Sequence, residues 1–362
     1  MSELRIHVKA SKEYDVVIGA GILSRVGSLV KEAVPKATKI LIVSETNVAP
    51  LYLDAVKENI AAEDVEVYEL VFEAGEQSKN INTIASMWAV MANAGFTRTD
   101  AVVALGGGVT GDMAGFAAAT FLRGISVVQV PTSLLAQVDA SVGGKTGIDL
   151  PQGKNQVGAF HQPSMVIEDT NCLSTLSSAK FTEGLGEVIK YAFIMDKELY
   201  RILDEYTDKN GLQNDTVMLT KIVTMCVKDK ADVITSDEFD TGRRQTLNYG
   251  HTVGHVIERD SGFTKDHGVC VAKGMGIMID ACFAAGRMDK DTHDKMMDLI
   301  RSYNLPAEDD ITPEAAVSGI MNDKKKRGNT ISLILVNRIG EAEIVPMTPD
   351  EVLELLRGGK TN

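Results

Sequence analysis

Short apolar runs alternate with helix-patterned segments along the first half of the chain. The runs "KILIVS", "VEVYELV", "DAVVALGGG" and "SVVQVPT" are rich in β-branched and apolar residues, and segments such as "NINTIASMWAVMANAGF" lie between them. Strands that are apolar along nearly their whole length are typical of a parallel sheet covered on both faces. The first half is therefore predicted to be an α/β domain built on a parallel sheet.

The pattern changes near Leu173. Helix-patterned segments then follow one another, beginning with "TEGLGEVIKYAFIM" and "TVMLTKIVTMCVKDKADVI". One late exception, "TISLILVNRIGEAEIVP", is typical of a β-hairpin that turns near Gly340. We predict an α/β domain over residues 1–172, a mainly α-helical domain over residues 173–362, and a cleft between them.

Composition narrows the class of protein. The 362 residues are 44% hydrophobic and carry a formal net charge of −13, whereas a nucleic-acid-binding protein would show a basic surface. The chain begins with MSELRIHVKA, which lacks the pattern of a signal peptide, and no uninterrupted apolar run reaches the ~18–20 residues of a membrane span. The four cysteines are scattered without a C-x-x-C pair, as expected in a reducing compartment. We predict a cytoplasmic protein that binds small molecules, not nucleic acid or membranes.

A glycine-rich turn follows one of the predicted strands. In "AVVALGGGVTGDMAGFAAATF", Gly106, Gly108 and Gly111 satisfy the pattern G-x-G-x-x-G, which lets a backbone approach a pyrophosphate at a helix N-terminus. The motif follows a late strand, and no Asp or Glu ends the next strand to bind a ribose. The turn predicts either a phosphate-bearing cofactor in a non-standard arrangement or a tight strand-to-helix connection.

A second glycine-rich region carries charged and polar side chains. "AQVDASVGGKTGIDLPQGKNQVGAFHQP" contains Asp139, Lys145, Lys154 and Asn155. Lysines beside glycine turns can hold a phosphate or a carboxylate as point charges. Lysines in polar loops are also commonly solvated, and the sequence alone leaves both interpretations open.

Polar residues replace apolar ones in "RRQTLNYGHTVGHVIE". If this stretch forms one helix, Arg244, Asn248, His251 and His255 lie along a single face. The face either meets water or forms a site, and Val253, Val256 and Ile257 provide no charged outer surface opposite it. We therefore expect a site.

Two histidines at i and i+4 can bind one metal ion. From spacing, His251 and His255 would be ligands, with a third ligand taken from Glu183, Glu187 or His267; Glu187 is preferred. Because Glu187 and Lys190 also share a helix face at i, i+3, an internal ion pair is the alternative interpretation.

Eight ordered sequence blocks together resemble the 3-dehydroquinate synthase family of sugar-phosphate cyclases. The blocks are "GEQSK", "GGGVTGD", "VDASVGGKTGI", "GKNQVGAF", "EGLGEVIKY", "RRQTLNYGHTVGH", "DHGVCVAKGM" and "DKKKRG". The resemblance implies an NAD-binding α/β domain, a helical metal-binding domain, and an active site between them. It also implies a divalent metal, zinc or cobalt, held by Glu187, His251 and His267. His255 would then lie near the substrate instead of binding the metal.

The resemblance further implies a set of binding residues. Those for NAD are Glu45, Asn47, Glu76, Lys79, Gly107, Gly108, Val109, Asp112, Thr132, Ser133, Asp139, Lys154 and Thr175. Those for the substrate and its chemistry are Lys145, Asn155, Lys190, Lys230, Arg244, Asn248 and His255, with either Lys324 or Lys325. Arg123 would reach the site of the neighbouring subunit in a homodimer, and Glu45 stands where the family usually has Asp.

The implied reaction converts 3-deoxy-D-arabino-heptulosonate 7-phosphate into 3-dehydroquinate and phosphate, a step of aromatic amino-acid biosynthesis. The many cations suit a substrate that carries both a carboxylate and a phosphate. Three alternatives are a metal-dependent polyol dehydrogenase, another sugar-phosphate cyclase, and a non-catalytic NAD-binding protein. A dehydrogenase would need no phosphate-binding lysines, and a related cyclase would be expected to alter the carboxylate-binding positions.

Overall fold

The computed structural model describes residues 3–324 and 330–360, with side chains placed outside 322–324 and 359–360. Seven strands form one sheet in the order β1-β2-β9-β6-β5-β3-β4, and two further pairs form hairpins. The strands are β1 (Leu4–Val8), β2 (Tyr14–Gly19), β3 (Lys39–Glu45), β4 (Glu66–Phe72), β5 (Ala101–Gly106), β6 (Ser126–Pro131), β7 (Lys145–Leu150), β8 (Gly153–Phe160), β9 (Met165–Asp169), β10 (Ile331–Arg338) and β11 (Glu341–Met347).

Twelve α-helices lie within the described residues. They are α1 (Val26–Ala33), α2 (Ala49–Ala61), α3 (Ile81–Asn93), α4 (Gly108–Thr120), α5 (Ser178–Ile194), α6 (Lys197–Glu205), α7 (Thr216–Ser236), α8 (His251–Asp260), α9 (His267–Ala284), α10 (Lys290–Ser302), α11 (Pro313–Lys324) and α12 (Pro349–Lys360). Side chains of Asn80, Ser177 and Asp215 accept hydrogen bonds from the first turns of α3, α5 and α7, which fixes where these helices begin.

The parallel sheet predicted from the sequence is confirmed. Only β1 runs antiparallel to its neighbour in the seven-stranded sheet; the other pairings are parallel. Along β3, Ile40 and Ile42 join one apolar cluster with α1 and α2, whereas Leu41 and Val43 join a second with α3 and α4. Alternate side chains therefore bury both faces of the sheet, as the continuous apolar runs require. The predicted late hairpin is β10–β11, with Gly340 at φ 78°.

Two compact units divide the chain, and the first is discontinuous in sequence. Unit 1 comprises Met1–Leu176 and Gln213–Phe239, and unit 2 comprises Ser177–Leu212 and Asp240–Asn362. The division between residues 172 and 173 that the sequence predicts would place α7 in the second domain. In the structure α7 packs against β1 and β2 of unit 1. An amphipathic helix can cover the face of any sheet, and the position of α7 in the sequence does not reveal which sheet it covers.

Helix α9 is the one described helix that has the length and apolarity to cross a membrane. It has 18 residues with a mean hydropathy of 1.3, and 61% of it is buried inside the protein. Lys273 and Asp280 interrupt its apolar residues. These properties are those of a core helix, and α9 lies at the centre of the contacts within unit 2.

One carboxyl group is enclosed by the core of unit 1. Glu168 of β9 is fully buried, and its closest hydrogen-bond partner is the hydroxyl of Ser141 at 3.5 Å. Burial raises the pKa of Glu168 well above its ordinary value, against smaller opposing effects of Ser141 and Lys230. The folded protein therefore favours the protonated form of this carboxyl group more than the unfolded chain does.

The Glu168→Gln variant is expected to be more stable than the wild type, with a gain that grows with pH. The folded wild type holds a proton that the unfolded chain releases above about pH 4.5, so its stability falls as pH rises toward the folded-state pKa. An amide of the same shape avoids that loss, and we expect the gain in stability to be larger at pH 8 than at pH 4. Unfolding free energies of both proteins at pH 4 and pH 8 measure it. If the two proteins differ in unfolding free energy by the same amount at both pH values, the pKa of Glu168 is not raised in the folded protein.

Candidate functional site

A glycine interrupts the polar stretch from Arg243 to Glu258. Residues Arg243–Asn248 form a 3-10 helix, and α8 begins only at His251. Gly250 between them has φ 76°, and a Cβ atom there would lie 2.6 Å from the carbonyl oxygen of Val271 on α9. The prediction of one continuous helix was therefore wrong: the positive φ and the tight contact with α9 need glycine. Arg244 and Asn248 therefore lie in the 3-10 helix, and His251 and His255 lie in α8.

Three helices of unit 2 bring one carboxylate and two imidazoles together. Glu187 lies on α5, His251 on the first turn of α8, and His267 on the first turn of α9. The Nε2 atoms of His251 and His267 lie 3.4 Å and 3.6 Å from the same oxygen, Oε1 of Glu187. The structure thus assembles the three residues that the family resemblance assigned to a metal.

Glycine contacts allow these helices to approach so closely. A Cβ at Gly268 of α9 would lie 1.9 Å from the carbonyl oxygen of Glu183 on α5, and one at Gly186 would lie 2.5 Å from the carbonyl oxygen of Gly268. The backbones of α5 and α9 are therefore in direct contact one residue away from both Glu187 and His267. Any larger side chain would separate the two helices.

The second nitrogen of each imidazole is also engaged. Nδ1 of His251 lies 3.1 Å from the carbonyl oxygen of Tyr249, and Nδ1 of His267 lies 3.4 Å from Oε2 of Glu258. Partners of this kind fix the tautomer and leave Nε2 to act as a ligand. Sequence reasoning missed Glu258, although it lies seven residues after His251 on α8 and therefore on the same helix face.

Charges within the cluster formed by Glu187, His251, His267 and Lys190 keep Glu187 ionised. Burial opposes ionisation, but the ammonium of Lys190 and the ring of His251 hold the pKa of Glu187 well below its usual range. Lys190 is 1% exposed and forms an ion pair with Oε2 of Glu187. The ion pair considered from sequence is therefore present in the structure, within the cluster itself.

His255 is the third imidazole of the cluster. One nitrogen each from His251, His255 and His267 lies within 4.8 Å of the others. The protein around His255 and the two neighbouring imidazoles lower its pKa to about 3, so its ring is neutral at physiological pH. At His267, burial lowers the pKa of the ring, but the carboxylates of Glu187 and Glu258 have the larger effect and raise the pKa to about 10. The two rings therefore differ: the surroundings of His267 favour a positive charge on the ring, and those of His255 disfavour one.

The donor set fits a divalent metal ion. Oε2 of the buried Glu187 side chain pairs with Lys190, whereas Oε1 faces the two Nε2 atoms, at 3.4 Å and 3.6 Å. A carboxylate and two imidazole Nε2 atoms are ligands that zinc and cobalt accept. The buried carboxylate, the shared direction of the Nε2 atoms and the engaged Nδ1 atoms all favour a metal at this point.

The glycine-rich turn of unit 1 forms the start of α4. Gly107 precedes the helix in an extended conformation, and no side chain caps it. Free N–H groups at a helix N-terminus attract a phosphate group. Asp112, one turn along, forms an ion pair of 2.6 Å with the buried Lys79. An uncapped helix start can bind a phosphate group, and the family resemblance assigns this turn to NAD.

Lys79 connects several predicted residues of unit 1. Its Nζ donates to Oδ1 of Asn155 at 2.6 Å and lies 3.9 Å from Glu76. Lys154 also reaches Glu76, at 3.5 Å. The structure therefore groups the "GEQSK" segment, the start of α4 and the β7–β8 hairpin into one charged network.

Other predicted residues occupy three further places. Nζ of Lys230, on α7, donates to Oδ1 of Asp139 at 2.7 Å. The hydroxyl groups of Thr175 and Tyr52 are 2.7 Å apart, and the backbone N–H of Asn47 donates to Glu45 at 2.7 Å. Sequence reasoning missed Tyr52, which carries no motif of its own.

The remaining predicted residues differ in exposure. Lys230 and Arg244 are buried, Asn248 is half-buried, and Lys145 and Arg123 are exposed. Thr132 is buried, and its N–H donates to the carbonyl oxygen of Gly106; Ser133, Gly108 and Val109 are half-buried near the same turn. The side chain of Lys324 and all of Lys325 lie outside the described residues.

Comparisons with known proteins identify the family. The family description "3-dehydroquinate synthase N-terminal" matches residues 69–183, and "3-dehydroquinate synthase C-terminal" matches residues 184–326. The chain is 40% identical over 346 residues to a 3-dehydroquinate synthase of Clostridium acetobutylicum, covering 95% of this chain and 96% of the relative.

Solved structures show the same fold. A 2-epi-5-epi-valiolone synthase from Streptomyces hygroscopicus, with NAD+ and Zn2+ bound, is 25% identical and covers 99% of both chains with a TM-score of 0.87. A 2-deoxy-scyllo-inosose synthase complexed with carbaglucose-6-phosphate, NAD+ and Co2+ is 23% identical, has a TM-score of 0.85, and covers 98% of this chain and 99% of its own. On the sequence matches along nearly its whole length, this chain belongs to the 3-dehydroquinate synthase family.

Proposed function

We propose that the protein is an NAD- and metal-dependent 3-dehydroquinate synthase. It would convert 3-deoxy-D-arabino-heptulosonate 7-phosphate into 3-dehydroquinate and inorganic phosphate, as a lyase of aromatic amino-acid biosynthesis. The observation that carries the proposal is the convergence of Glu187, His251 and His267 in a chain 40% identical to a relative of that name. Sequence identity at this level over 95% of the chain supports the same activity.

The cofactors would be held by residues of both units. We assign the divalent metal, zinc or cobalt, to Glu187, His251 and His267, and NAD to the glycine turn of α4 with Lys79, Asp112 and the other predicted residues. When bound, NAD supplies a hydride acceptor and donor, and the metal supplies a Lewis acid for the substrate hydroxyl groups.

The residues of the chain would bind and orient the substrate. We assign the planar guanidinium of Arg244 to the carboxylate, which it can bind through two hydrogen bonds. Lysine ammonium groups, including the buried Lys190 and Lys230, would hold the phosphate and oxyanions as point charges. Fixed charges in a buried site stabilise developing negative charge without reorganisation.

A ring nitrogen of His255 is the proposed hydrogen-bond acceptor near the substrate. Its pKa of about 3 keeps the imidazole neutral at physiological pH, so a lone pair can accept a hydrogen bond from a substrate hydroxyl group, although so weak a base does not retain a proton. The phosphate that leaves can take up the proton, so the reaction does not require a separate carboxylate base.

We also propose that the protein acts in the cytoplasm as a homodimer. Arg123 is exposed, with φ 69°, beside Leu122, which is exposed too and has φ 49°. An exposed arginine held in this turn could reach a neighbouring subunit. A monomer mass by light scattering would contradict the dimer.

The experiment incubates the zinc- or cobalt-loaded protein with NAD and 3-deoxy-D-arabino-heptulosonate 7-phosphate. Phosphate release over many turnovers, with no accumulation of NADH, is the expected result, because the hydride returns within each cycle. A metal-free sample is the control. Accumulating NADH without phosphate would indicate a polyol dehydrogenase. Reaction with sedoheptulose 7-phosphate or glucose 6-phosphate instead would indicate a related cyclase.

A further inference from the structure

The β7–β8 hairpin contains a bulge at the position of two predicted site residues. Ile148 pairs with Val157, but the next pair is Leu150 with Gly153. Asp149 of β7 is therefore opposite three residues of β8, namely 154, 155 and 156. Bulges redirect side chains out of the regular alternation of a strand. This bulge carries Lys154 and Asn155.

Asp149 holds the backbone of the bulge. Its Oδ1 accepts a hydrogen bond of 2.8 Å from the N–H of Asn155. Asn155 has φ 54°, a left-handed conformation that few residues other than glycine adopt and that asparagine tolerates. A carboxylate acceptor directed at this N–H stabilises the unusual conformation from the facing strand.

A second contact joins Asp149 to the segment before α3. The N–H of Asp149 donates to the carbonyl oxygen of Lys79 at 2.9 Å. Nζ of Lys79 donates in turn to Oδ1 of Asn155 at 2.6 Å, and to Asp112 at 2.6 Å. Asp149, Asn155 and Lys79 thus form a closed ring of three hydrogen bonds that links the bulge to the start of α4.

We infer that Asp149 is a positioning residue. By holding the backbone of the bulge, it places the side chains of Asn155 and Lys154 where they can contact the cofactor and the substrate. The role assigned to the bulge rests on the proposed function, although the ring of hydrogen bonds does not. Asp149 itself contacts backbone and neighbouring side chains, so it acts through Asn155 and Lys154.

An amide at position 149 is expected to preserve this role. Burial raises the pKa of Asp149, and the neighbouring carboxylate of Glu76 acts in the same direction against the N–H of Asn155 and the charge of Lys79. A neutral acceptor is therefore tolerated at this position. The carbonyl oxygen of asparagine can still accept the hydrogen bond from Asn155, whereas alanine cannot.

The test compares Asp149→Ala with Asp149→Asn in the zinc-loaded protein. For Asp149→Ala we expect the Kd for NAD, measured by titration calorimetry, and the KM for 3-deoxy-D-arabino-heptulosonate 7-phosphate to rise about tenfold or more. For Asp149→Asn both values should stay within about twofold of the wild type, and kcat should change less than KM in both variants. Asp54→Ala, an exposed aspartate on α2 of the same unit, is the matched control.

Two results would overturn the inference. One is a wild-type Kd and KM in Asp149→Ala, whatever its melting temperature, which would leave the residue a purely structural role. The other is an equal loss in Asp149→Asn and Asp149→Ala. Asp149→Ser, with a shorter side chain, replaces the alanine variant if that variant is insoluble. If the wild type binds NAD without turnover, the proposed function has failed, and the ratio of NAD affinities still decides the role of Asp149.

Discussion

Glu187→Gln is expected to abolish stable metal binding and to lower turnover by at least about a thousandfold. Glu187 is the buried anion to which both Nε2 atoms point, and an amide oxygen is a much weaker ligand. The same change leaves the buried ammonium of Lys190 without its partner, which costs about 3–5 kcal/mol of stability. Zinc content after dialysis and phosphate release measure the two functional effects.

A second variant separates metal loss from destabilisation. Glu187→Gln combined with Lys190→Met removes both charges, so it should recover much of the folding stability while binding no metal. Glu183→Gln is the matched control, because Glu183 lies one turn earlier on α5, is also buried, and pairs with Lys180 at 2.9 Å. Full zinc content in the Glu187→Gln protein would show that the metal ligands are assigned incorrectly.

Gly268→Ala is expected to lower the free energy of unfolding by about 3 kcal/mol and to weaken zinc binding. The added methyl group would lie 1.9 Å from a backbone oxygen of α5, so one helix must move. His267 is the neighbouring residue, and its Nε2 would move away from Glu187. Denaturant unfolding of the metal-free proteins isolates the packing effect, since bound metal would add its own stabilisation.

The matched control for this prediction is Gly358→Ala on α12. A Cβ there meets Ala284 at 3.6 Å, an ordinary contact, and alanine favours a helix over glycine. The control variant should be as stable as the wild type or slightly more stable. Equal unfolding free energies for the two variants would mean that α5 and α9 adjust to each other more easily than their backbone contact suggests.

Much of the fold could be predicted because local patterns decide it. The four apolar runs are β3, β4, β5 and β6, and the segments "TEGLGEVIKYAFIM" and "TVMLTKIVTMCVKDKADVI" lie in α5 and α7. In β3, β5 and β6 the burial agrees with the apolar run, whereas β4 is an edge strand in which only Phe72 is buried. Assignment of α7 to unit 1 could not be predicted, because it depends on a sheet face formed far away in sequence.

Less of the site than of the fold could be predicted from local sequence patterns. Spacing favoured His251, His255 and Glu187 as ligands, and the family resemblance replaced His255 with His267. The break at Gly250 was missed, since its cause is the backbone of α9 and not the residues around it. Glu258 and Asp149 were missed for a related reason: each acts on a residue that another strand or helix presents, and a single sequence does not display that pairing.

The discontinuity of unit 1 has a consequence for synthesis on the ribosome. Helix α7 covers β1 and β2, and it carries Lys230, the partner of Asp139. A nascent chain that has emerged only through β9 therefore lacks the helix that covers β1 and β2, and its Asp139 lacks the ammonium group of Lys230. Because Ser177–Leu212 of unit 2 are made before Gln213–Phe239, unit 1 cannot be completed until the first part of unit 2 has been synthesised. A fragment ending at residue 172 lacks α7 and is therefore an incomplete form of unit 1.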